Sequence, residues 1–358
     1  MTDLVPPPRY RPAILPEQRR MLVDTVLSTL PIVFRDYMTA GKQTIYHPEI
    51  VRTPGTSIAQ AADFMARHEA YRLKHAALYY VAPDMTALAI SAGRALPEYE
   101  FSAADLPSPY GFLVFDGPYP EVYDEPWVIG NGIEVPAHLT AVAWGPVTDP
   151  GSDGVQRPGV WFTYYSDRDA SDEIAVERGV VTREEVIERL RAYGGAQFVY
   201  DNETLIFEGA SWTEIADEWA SSTDLATTPQ PNPAKPRVGP KTLRTLLAAS
   251  LLMREPLARM TSEPEEIFTR PERRRLHREG LSDEVRVVHL RHSERAPRDG
   301  ETEGSARNYT CRWPVVGHWR RQWFPSEQRH RPRYIAPYVK GPDDKPFRPR
   351  ETVRAWDR

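Results

Sequence analysis

The sequence predicts an α+β fold, and three of its features support that prediction. Apolar residues recur at helical spacing over much of the first 80 residues. Short segments rich in Val, Tyr, Phe and Trp follow between residues 110 and 209, a pattern typical of strands. A proline-rich segment then precedes a basic stretch. We therefore expect an acidic N-terminal domain over residues 1–221, helix-rich and then strand-rich, a linker over 222–240, and a basic module over 241–358 that combines a helix with a small β-rich unit.

Two amphipathic helices are predicted before residue 82. The segment "PEQRRMLVDTVLSTL" (16–30) places five apolar residues on one helical face: Leu22, Val23, Val26, Leu27 and Leu30. We expect this helix to end at Pro31, because proline removes a backbone donor from a helix interior. The second helix starts at Ser57, which forms a capping box with Gln60. Its apolar stripe is expected to continue through "HAALYYV" (75–81).

Strands are predicted in the next part of the chain, with one helix among them. The strand candidates are "YGFLVF" (110–115), "LTAVAWG" (139–145), "GVWFTYY" (159–165), "AQFVY" (196–200) and "TLIFEG" (204–209). The turn-forming residues at 201–203 are expected to join the last two as a pair. The helix begins with a capping box between Thr182 and Glu185 and ends at Gly194 and Gly195.

Proline marks the expected domain boundary, because the segment 229–240 holds five prolines in a setting without apolar periodicity. A helix is predicted beyond it in "KTLRTLLAASLLM" (241–253), followed by the basic run "RPERRRLHREG" (270–280) and a strand in "EVRVVHLRH" (284–292). Further strand candidates are "YTCRWPVVGHWRRQW" (309–323) and "PRYIAPYVKG" (332–341).

The formal net charge of −5 conceals opposite charges in the two parts of the chain. Residues 231–358 carry 28 Lys and Arg against 17 Asp and Glu, a net charge of +11. The preceding 230 residues carry 17 against 33, a net charge of −16. This asymmetry predicts either an anionic partner for the basic part or docking of the two parts on each other.

Composition and motifs narrow the function classes. The single cysteine, Cys311, excludes an intrachain disulfide and a cysteine-based zinc site, which favours a reducing, cytoplasmic location. Neither a signal sequence nor a membrane span is predicted, because the longest apolar segment, "LLAASLLM" (246–253), is too short. A phosphate-binding Gly-rich loop and a Gly-x-Ser-x-Gly elbow are missing from the sequence. No cofactor is predicted.

Four segments in order resemble a family of uncharacterised proteins of high-GC Gram-positive bacteria. They are "LPEYEFSAADLPSPYGFLVF" (96–115), "TLRTLLAASLLMREPLA" (242–258), "RRRLHREGLSDEVRVVHLR" (273–291) and "GHWRRQWFPSEQRHRPRYIAPYVKGPDDKP" (317–346). The resemblance is clearest from about residue 240 onward. Where members of that family often have Arg before Gly-His-Trp, this chain has Val316. The resemblance implies no activity and no role for any residue.

Two clusters invite a metal interpretation, and we predict a metal site at neither. In "HEAYRLKH" (68–75), His68 and His75 lie seven residues apart, about 10 Å along a helix, which is too far for one zinc ion. The acidic run "SDRDASDEIAVERG" (166–179) lacks the residue order of a calcium loop, so a solvated acidic loop is the simpler interpretation. Its candidate cation ligands would be Asp167, Asp169, Asp172 and Glu173.

The richest group of chemically active residues lies near the end of the chain. In extended strands, alternate residues share a face, so guanidinium groups and indole rings would lie side by side, a combination that contacts phosphates and stacks bases. The candidate nucleic-acid-binding residues are Arg312, His318, Trp319, Arg320, Arg321, Trp323, Arg329, Arg331, Arg333, Tyr334 and Lys340. Alternatively, the aromatic residues of this segment, Trp313, Trp319, Trp323, Tyr334 and Tyr338, form the core of a small domain.

We therefore predict a nucleic-acid-binding protein whose partner is DNA or RNA and whose acidic N-terminal domain binds a protein partner or masks the basic module. One alternative is a metal-independent ribonuclease in which His318 and His330 transfer protons and arginines stabilise the phosphorane. Another is a non-enzymatic interaction scaffold whose basic part docks on its own acidic part.

Overall fold

The computed structural model confirms the α+β class. It describes residues 9–40, 47–53, 55–116, 127–129, 133–135, 139–149, 154–193, 195–210, 240–262, 269–291 and 313–340. A mixed seven-stranded sheet forms the centre of the fold, and helices cover both of its faces. The described helices are α1 (Leu15–Thr39), α2 (Pro48–Arg52), α3 (Ile58–His75), α4 (Pro83–Arg94), α5 (Arg168–Glu177), α6 (Arg183–Tyr193), α7 (Pro240–Met253) and α8 (Arg270–Arg278).

The strands of the central sheet are β1 (Ala77–Val81), β2 (Gly111–Phe115), β5 (Leu139–Asp149), β6 (Arg157–Asp167), β7 (Phe198–Phe207), β8 (Ala258–Ser262) and β9 (Val285–Leu290). Their order is β7-β6-β5-β2-β1-β9-β8. Strand β1 is parallel to both β2 and β9, and the remaining neighbours are antiparallel. Outside this sheet, β3 (Trp127–Ile129) pairs with β4 (Ile133–Val135).

Two apolar cores form on opposite faces of the sheet because successive strand residues point to opposite sides. On one face, α1 and α3 cover alternate residues of the central strands, such as Leu78 and Tyr80. On the other face, α4 and α7 cover Tyr79 and Val81. The fold therefore has three layers, with the sheet in the middle.

The C-terminal part of the chain is built into the same fold as the N-terminal part. Strand β9 pairs with β1 at the centre of the sheet, and α7 packs on the same apolar core as α4. The predicted division into an acidic domain and a separate basic module is thus not how the described residues pack, because burying α7 and β9 requires the N-terminal strands as partners. The predicted linker lies outside the described residues except for Pro240, where α7 begins.

Local sequence signals located several elements correctly. The capping boxes at Ser57 with Gln60 and at Thr182 with Glu185 form as predicted. Helix α1, however, continues through Pro31 to Thr39, because buried Phe34 and Met38 extend its apolar face beyond the proline. The predicted second helix ends at His75, and the next apolar residues form β1, whose strand partners bury them.

The predicted pair of strands around residues 201–203 is one continuous strand, β7. Tyr164 of β6 lies opposite Asn202, and Tyr165 lies opposite Tyr200, so Asp201 is an extra residue in the ladder. This is a β-bulge, which bends a strand without ending it. The predicted acidic loop at 166–179 is also different, because most of it forms helix α5.

Two antiparallel strand pairs come from the end of the described chain, and the inner pair is a hairpin of consecutive strands. Strand β10 (Trp313–Val315) pairs with β13 (Tyr338–Lys340), and β11 (His318–Phe324) pairs with β12 (Arg329–Ile335). The β11–β12 hairpin contacts the core on the α4 and α7 face through Trp319 and Tyr334.

Among the helices of the described ranges, none has the length and apolar character needed to cross a membrane.

Candidate functional sites

The β11–β12 hairpin has a register that divides its side chains between two faces. Residues directly opposite each other in an antiparallel pair share a face. One face carries Trp319, Arg321 and Trp323 of β11 opposite Tyr334, Pro332 and His330 of β12. The other carries His318, Arg320, Gln322 and Phe324 opposite Ile335, Arg333, Arg331 and Arg329. The alternation of arginine and aromatic residues predicted from the sequence is therefore present.

Part of the hairpin is anchored on the rest of the fold. The indole of Trp319 donates a hydrogen bond of 2.8 Å to the carbonyl oxygen of Ala92, near the end of α4. Tyr334 is 8% exposed and meets the Trp319 ring edge-on, with the ring centroids 5.2 Å apart. Tyr334 is buried in the main core of the fold, and Trp319 packs against that core partly buried, whereas the alternative interpretation placed both in the core of a small separate domain. The buried ring of Tyr334 is not available to stack on a base.

Three hairpin arginines form ion pairs with carboxylates of the same chain. Arg329 binds the fully buried Asp105 at 2.6 Å, and Arg331 lies 3.7 Å from the same carboxylate. Arg333 lies 3.5 Å from Glu255. Arg331 also places its guanidinium 4.2 Å from the centre of the Phe324 ring. Since their charges are balanced internally, these arginines contribute less to an anion-binding surface than the sequence suggested.

Six of the predicted residues are exposed on the hairpin, and one of them, Arg333, is paired with Glu255. We call the other five the exposed hairpin surface: His318, Arg320, Arg321, Trp323 and His330. The side chain of Trp323 is 45% exposed and lies 5.0 Å from the His330 ring, centre to centre. Neither Arg320 nor Arg321 forms an ion pair with any described residue, although Arg320 donates to Gln322. Arg312 lies outside the described residues, and Lys340 is the last residue of β13.

The register separates the two histidines of the ribonuclease alternative. His330 lies opposite Trp323, and His318 is five residues before Trp323 on β11. At about 3.3 Å per residue, five residues span roughly 17 Å, and an odd number places the two side chains on opposite faces. A proton donor and a proton acceptor for one phosphodiester must both reach it through hydrogen bonds. His318 and His330 therefore cannot serve the same bond as a pair.

A second candidate site lies on the other side of the sheet, in a pocket between α1, α3 and the strands β6 and β7. Its interior has room for about one water molecule, and the remainder of its empty space opens to solvent. Its lining residues are Phe34, His47, Met65, His68, Glu69, Arg72, Trp161, Thr163, Tyr200 and Glu203. Residues 65, 68, 69 and 72 are spaced three or four apart and therefore lie on one face of α3, so this helix supplies four of the lining residues.

The β-bulge in β7 builds one wall of this pocket. Thr163 lies opposite Glu203, and Tyr165 lies opposite Tyr200, so all four share a face. Residues 200 and 203 would lie on opposite faces of a regular strand, since side chains alternate. The extra residue Asp201 restores them to the same side, an effect bulges commonly have beside functional sites.

A buried carboxylate organises the centre of the pocket. Glu69 is 1% exposed and accepts hydrogen bonds from the side chains of Arg72, Tyr165 and Thr163, the last at 2.7 Å. Arg72 also lies 5.4 Å from the centre of the Trp161 ring. The hydroxyl of Tyr200 donates to Glu203. An ion pair removed from water is stable only when additional hydrogen bonds satisfy its charged atoms. Thr163 and Tyr165 supply such hydrogen bonds to the Glu69 carboxylate.

Two histidines meet at the pocket, one from α3 and one preceding α2. The ring of His47 is 3% exposed, and its centre lies 4.2 Å from that of His68. Burial, followed by the neighbouring His68 and Arg72, lowers the pKa of His47 to about 2. Burial and the charge of Arg72 lower the pKa of His68 to about 4, while Glu69 opposes that shift. Both rings are therefore neutral at neutral pH.

No sequence pattern predicts this convergence. His75, which we considered with His68 and rejected as a second zinc ligand, is exposed, and its ring forms a hydrogen bond with the carbonyl oxygen of Tyr71. The partner of His68 is His47, which lies 21 positions earlier in a segment without periodicity. Asp167, one of the candidate cation ligands in the acidic run 166–179, caps α5 and accepts hydrogen bonds from Arg9 and Tyr10.

His47, Glu49 and His68 are close enough together to be considered as ligands of one metal ion. Neutral imidazoles and a carboxylate suit a transition metal such as zinc. The Nδ1 atom of His47, however, accepts a hydrogen bond of 3.3 Å from the backbone amide of Glu49. A neutral ring that accepts at Nδ1 carries its hydrogen on Nε2. That nitrogen then has no lone pair to offer a metal, so the residues do not fit a metal centre as arranged.

The chain matches no protein family model, no curated protein and no solved structure. The resemblance to a bacterial family described above therefore stays a prediction.

Proposed function

We propose that the chain binds single-stranded DNA or RNA through the exposed hairpin surface. The observation that carries this proposal is the exposure of the large Trp323 ring beside Arg321 on one hairpin face. A solvated indole next to guanidinium groups is the arrangement with which proteins stack bases and contact phosphates, and each stacked base contributes about 1–3 kcal/mol. A single strand fits better than a duplex, because its bases can reach such a ring.

The ion pairs of the hairpin reduce the strength expected for this interaction. Arg329, Arg331 and Arg333 are engaged with carboxylates, so Arg320 and Arg321 are the unpaired described cations of the hairpin. Two phosphate contacts on a single strand give a slope of roughly −1.4 for the logarithm of the binding constant against the logarithm of the salt concentration. A slope of −4 or steeper would require the other arginines to leave their partners.

Binding of labelled single strands, measured by fluorescence anisotropy over a series of salt concentrations, tests the proposal. We expect the double variant Arg320→Ala/Arg321→Ala to weaken binding and flatten the slope towards zero. Arg35→Ala/Arg67→Ala removes the same charge from exposed positions on α1 and α3 and should leave both quantities unchanged. No measurable binding of DNA or RNA at low salt, or equal effects of the two double variants, would refute the proposal.

A second candidate, the interaction scaffold, has its own supporting observation. Asp105, in the acidic part of the sequence, contacts Arg329 and Arg331 of the basic part, which is the internal docking that this alternative predicts. In that case the exposed Trp323 is a contact for another protein, since a solvated aromatic ring is a common anchor in interfaces. Absence of nucleic-acid binding by the folded protein would favour this candidate.

A further inference from the structure

Helix α8 carries three exposed arginines, which we call the α8 row: Arg270, Arg274 and Arg278. They are four residues apart, so they follow each other along one side of the helix at intervals of about 6 Å. Leu276 is the buried residue of α8 and faces the fold. Arg274 lies two residues before Leu276, about 200° around the helix axis. The α8 row therefore points away from the fold into solvent.

No described carboxylate forms an ion pair with an arginine of the α8 row. Three acidic residues near α8 bind other groups, in the pairs Glu272 with Thr269, Asp283 with Arg273, and Glu17 with Arg275. Glu279, which follows the helix, lies about 140° around the axis from Arg274. Like charges four residues apart destabilise a helix. A row of anions beside α8 would remove that repulsion.

Exposed arginines on two other helices are paired within their own helix. On α1, Arg20 lies 2.9 Å from Glu17 and 2.7 Å from Asp24, which are three and four residues away. On α3, Arg67 lies 2.6 Å from Asp63, four residues away. Such pairs stabilise a helix and neutralise its surface. Helix α8 departs from this pattern and keeps a positively charged surface.

The composition of this surface favours a phosphate backbone as its partner. Protein interfaces and membrane-bound helices use exposed apolar or aromatic side chains. Among the described residues, none of the large apolar side chains that are exposed lies on α8. Phosphate contacts need only positive charge, and duplex DNA carries about one negative charge per 1.7 Å of its axis. Along the roughly 12 Å of the α8 row, each arginine can therefore reach a phosphate without a particular register.

We propose that the α8 row binds the phosphate backbone of double-stranded DNA, without preference for sequence. A duplex suits the row better than a single strand, because its charge density is higher and it is already stiff. Recognition of duplex RNA relies largely on its 2′-hydroxyl groups, and guanidinium groups offer these hydroxyls no acceptor.

The α8 row and the exposed hairpin surface lie on different sides of the sheet. Helix α8 contacts α1 through Arg275 and Glu17, whereas the hairpin contacts the core on the α4 and α7 face. A duplex and a single strand can therefore be bound at the same time, and the proposal for the α8 row does not rest on the proposal for the hairpin.

Fluorescence anisotropy of a labelled, blunt-ended DNA duplex, titrated with the full-length protein, tests the proposal. Three phosphate contacts give a slope of about −2.7 against the logarithm of the salt concentration, so a fourfold rise in salt should weaken binding about 40-fold. The α8 variant, Arg270→Gln/Arg274→Gln/Arg278→Gln, should lose most of this salt dependence. Its urea midpoint should equal or exceed that of the original protein, because Gln forms helices about as well as Arg and the repulsion is removed.

The matched control is Arg35→Gln/Arg67→Gln/Arg94→Gln, which removes the same charge from exposed positions on α1, α3 and α4. It should bind the duplex as the original protein does, and so should Arg320→Ala/Arg321→Ala, whereas the α8 variant should keep its single-strand binding. The proposal would be overturned by undetectable duplex binding at low salt, by equal losses in the two triple variants, or by tighter binding of an RNA duplex. Phosphatidylserine vesicles that bind the original protein but not the α8 variant, with duplex binding unchanged, would assign the row to a membrane surface instead.

Discussion

The β11–β12 hairpin and the α3 pocket use charged residues in opposite ways. The hairpin concentrates arginines in a short stretch of sequence, yet three of them are paired with carboxylates elsewhere in the chain. The pocket collects single residues from positions 34 to 203 and pairs its arginine, Arg72, with the buried carboxylate of Glu69. The density of charged residues along a sequence therefore does not predict which of them stay exposed and unpaired in the fold.

Asp105→Asn should have the largest effect on stability. The carboxylate is fully buried and lies within ion-pair distance of Arg254, Arg329 and Arg331. Removing its charge leaves the buried guanidinium of Arg331 with less compensation, so we expect the free energy of unfolding to fall by about 3 kcal/mol. Urea denaturation measures the change.

The matched control is Glu327→Gln, which alters a more exposed carboxylate that contacts Arg329 and Arg331. Its cost should stay below about 1 kcal/mol, as for partly solvated ion pairs. A loss below 1 kcal/mol for Asp105→Asn would mean that the hairpin is held by its aromatic residues alone.

Trp319→Phe should give the next largest effect, because Trp319 is the anchored tryptophan of the hairpin. The variant loses the hydrogen bond to the Ala92 carbonyl and leaves a space beside Tyr334. We expect a loss of about 2 kcal/mol of unfolding free energy, which thermal and urea denaturation can both detect. An unchanged midpoint would show that the hairpin does not dock on α4 as described.

Protonation of the pocket histidines should make stability depend on pH. The folded protein holds His47 neutral because its pKa is lowered to about 2, whereas the unfolded chain gains a proton near pH 6.5. This contribution is complete above pH 6.5 and declines as the pH falls, because the unfolded state then binds more protons. His68, whose pKa is also lowered, acts in the same direction.

Urea midpoints measured between pH 6.5 and 4.5 quantify this dependence. The original protein should lose roughly 1–2 kcal/mol more than His47→Asn over that interval, and His75→Asn should behave as the original protein does. The test compares the variants with each other, because carboxylates titrate in every variant and their contribution to the pH dependence cancels in the difference. Identical slopes for His47→Asn and the original protein would indicate that His47 is solvated.

Sequence reasoning predicted what depends on neighbouring residues and missed what depends on distant ones. The capping boxes of α3 and α6 need residues three apart, and both were found. Asp201, Asn202 and Glu203 predict a turn because Asp and Asn are common in turns, whereas in the fold Asp201 is a bulge within the continuous strand β7. The contact of Arg329 with Asp105 spans 224 positions, and the contact of His47 with His68 joins two segments that share no pattern. No local rule relates such residues, so neither site's final composition could be derived from the sequence.

Trp323→Phe should have the smallest effect on stability and the sharpest effect on function, in contrast to Trp319→Phe. The Trp323 side chain is 45% exposed, and its nearest described ring is that of His330. We expect the free energy of unfolding to change by less than about 0.5 kcal/mol, as at most surface positions. If the ring stacks on a base, the smaller phenyl group should weaken single-strand binding severalfold while the salt dependence stays the same, because no phosphate contact is lost. Anisotropy and urea denaturation on the same preparations separate the two effects. A loss of stability as large as that of Trp319→Phe would place Trp323 in the core, and the exposed hairpin surface would then lack its stacking residue.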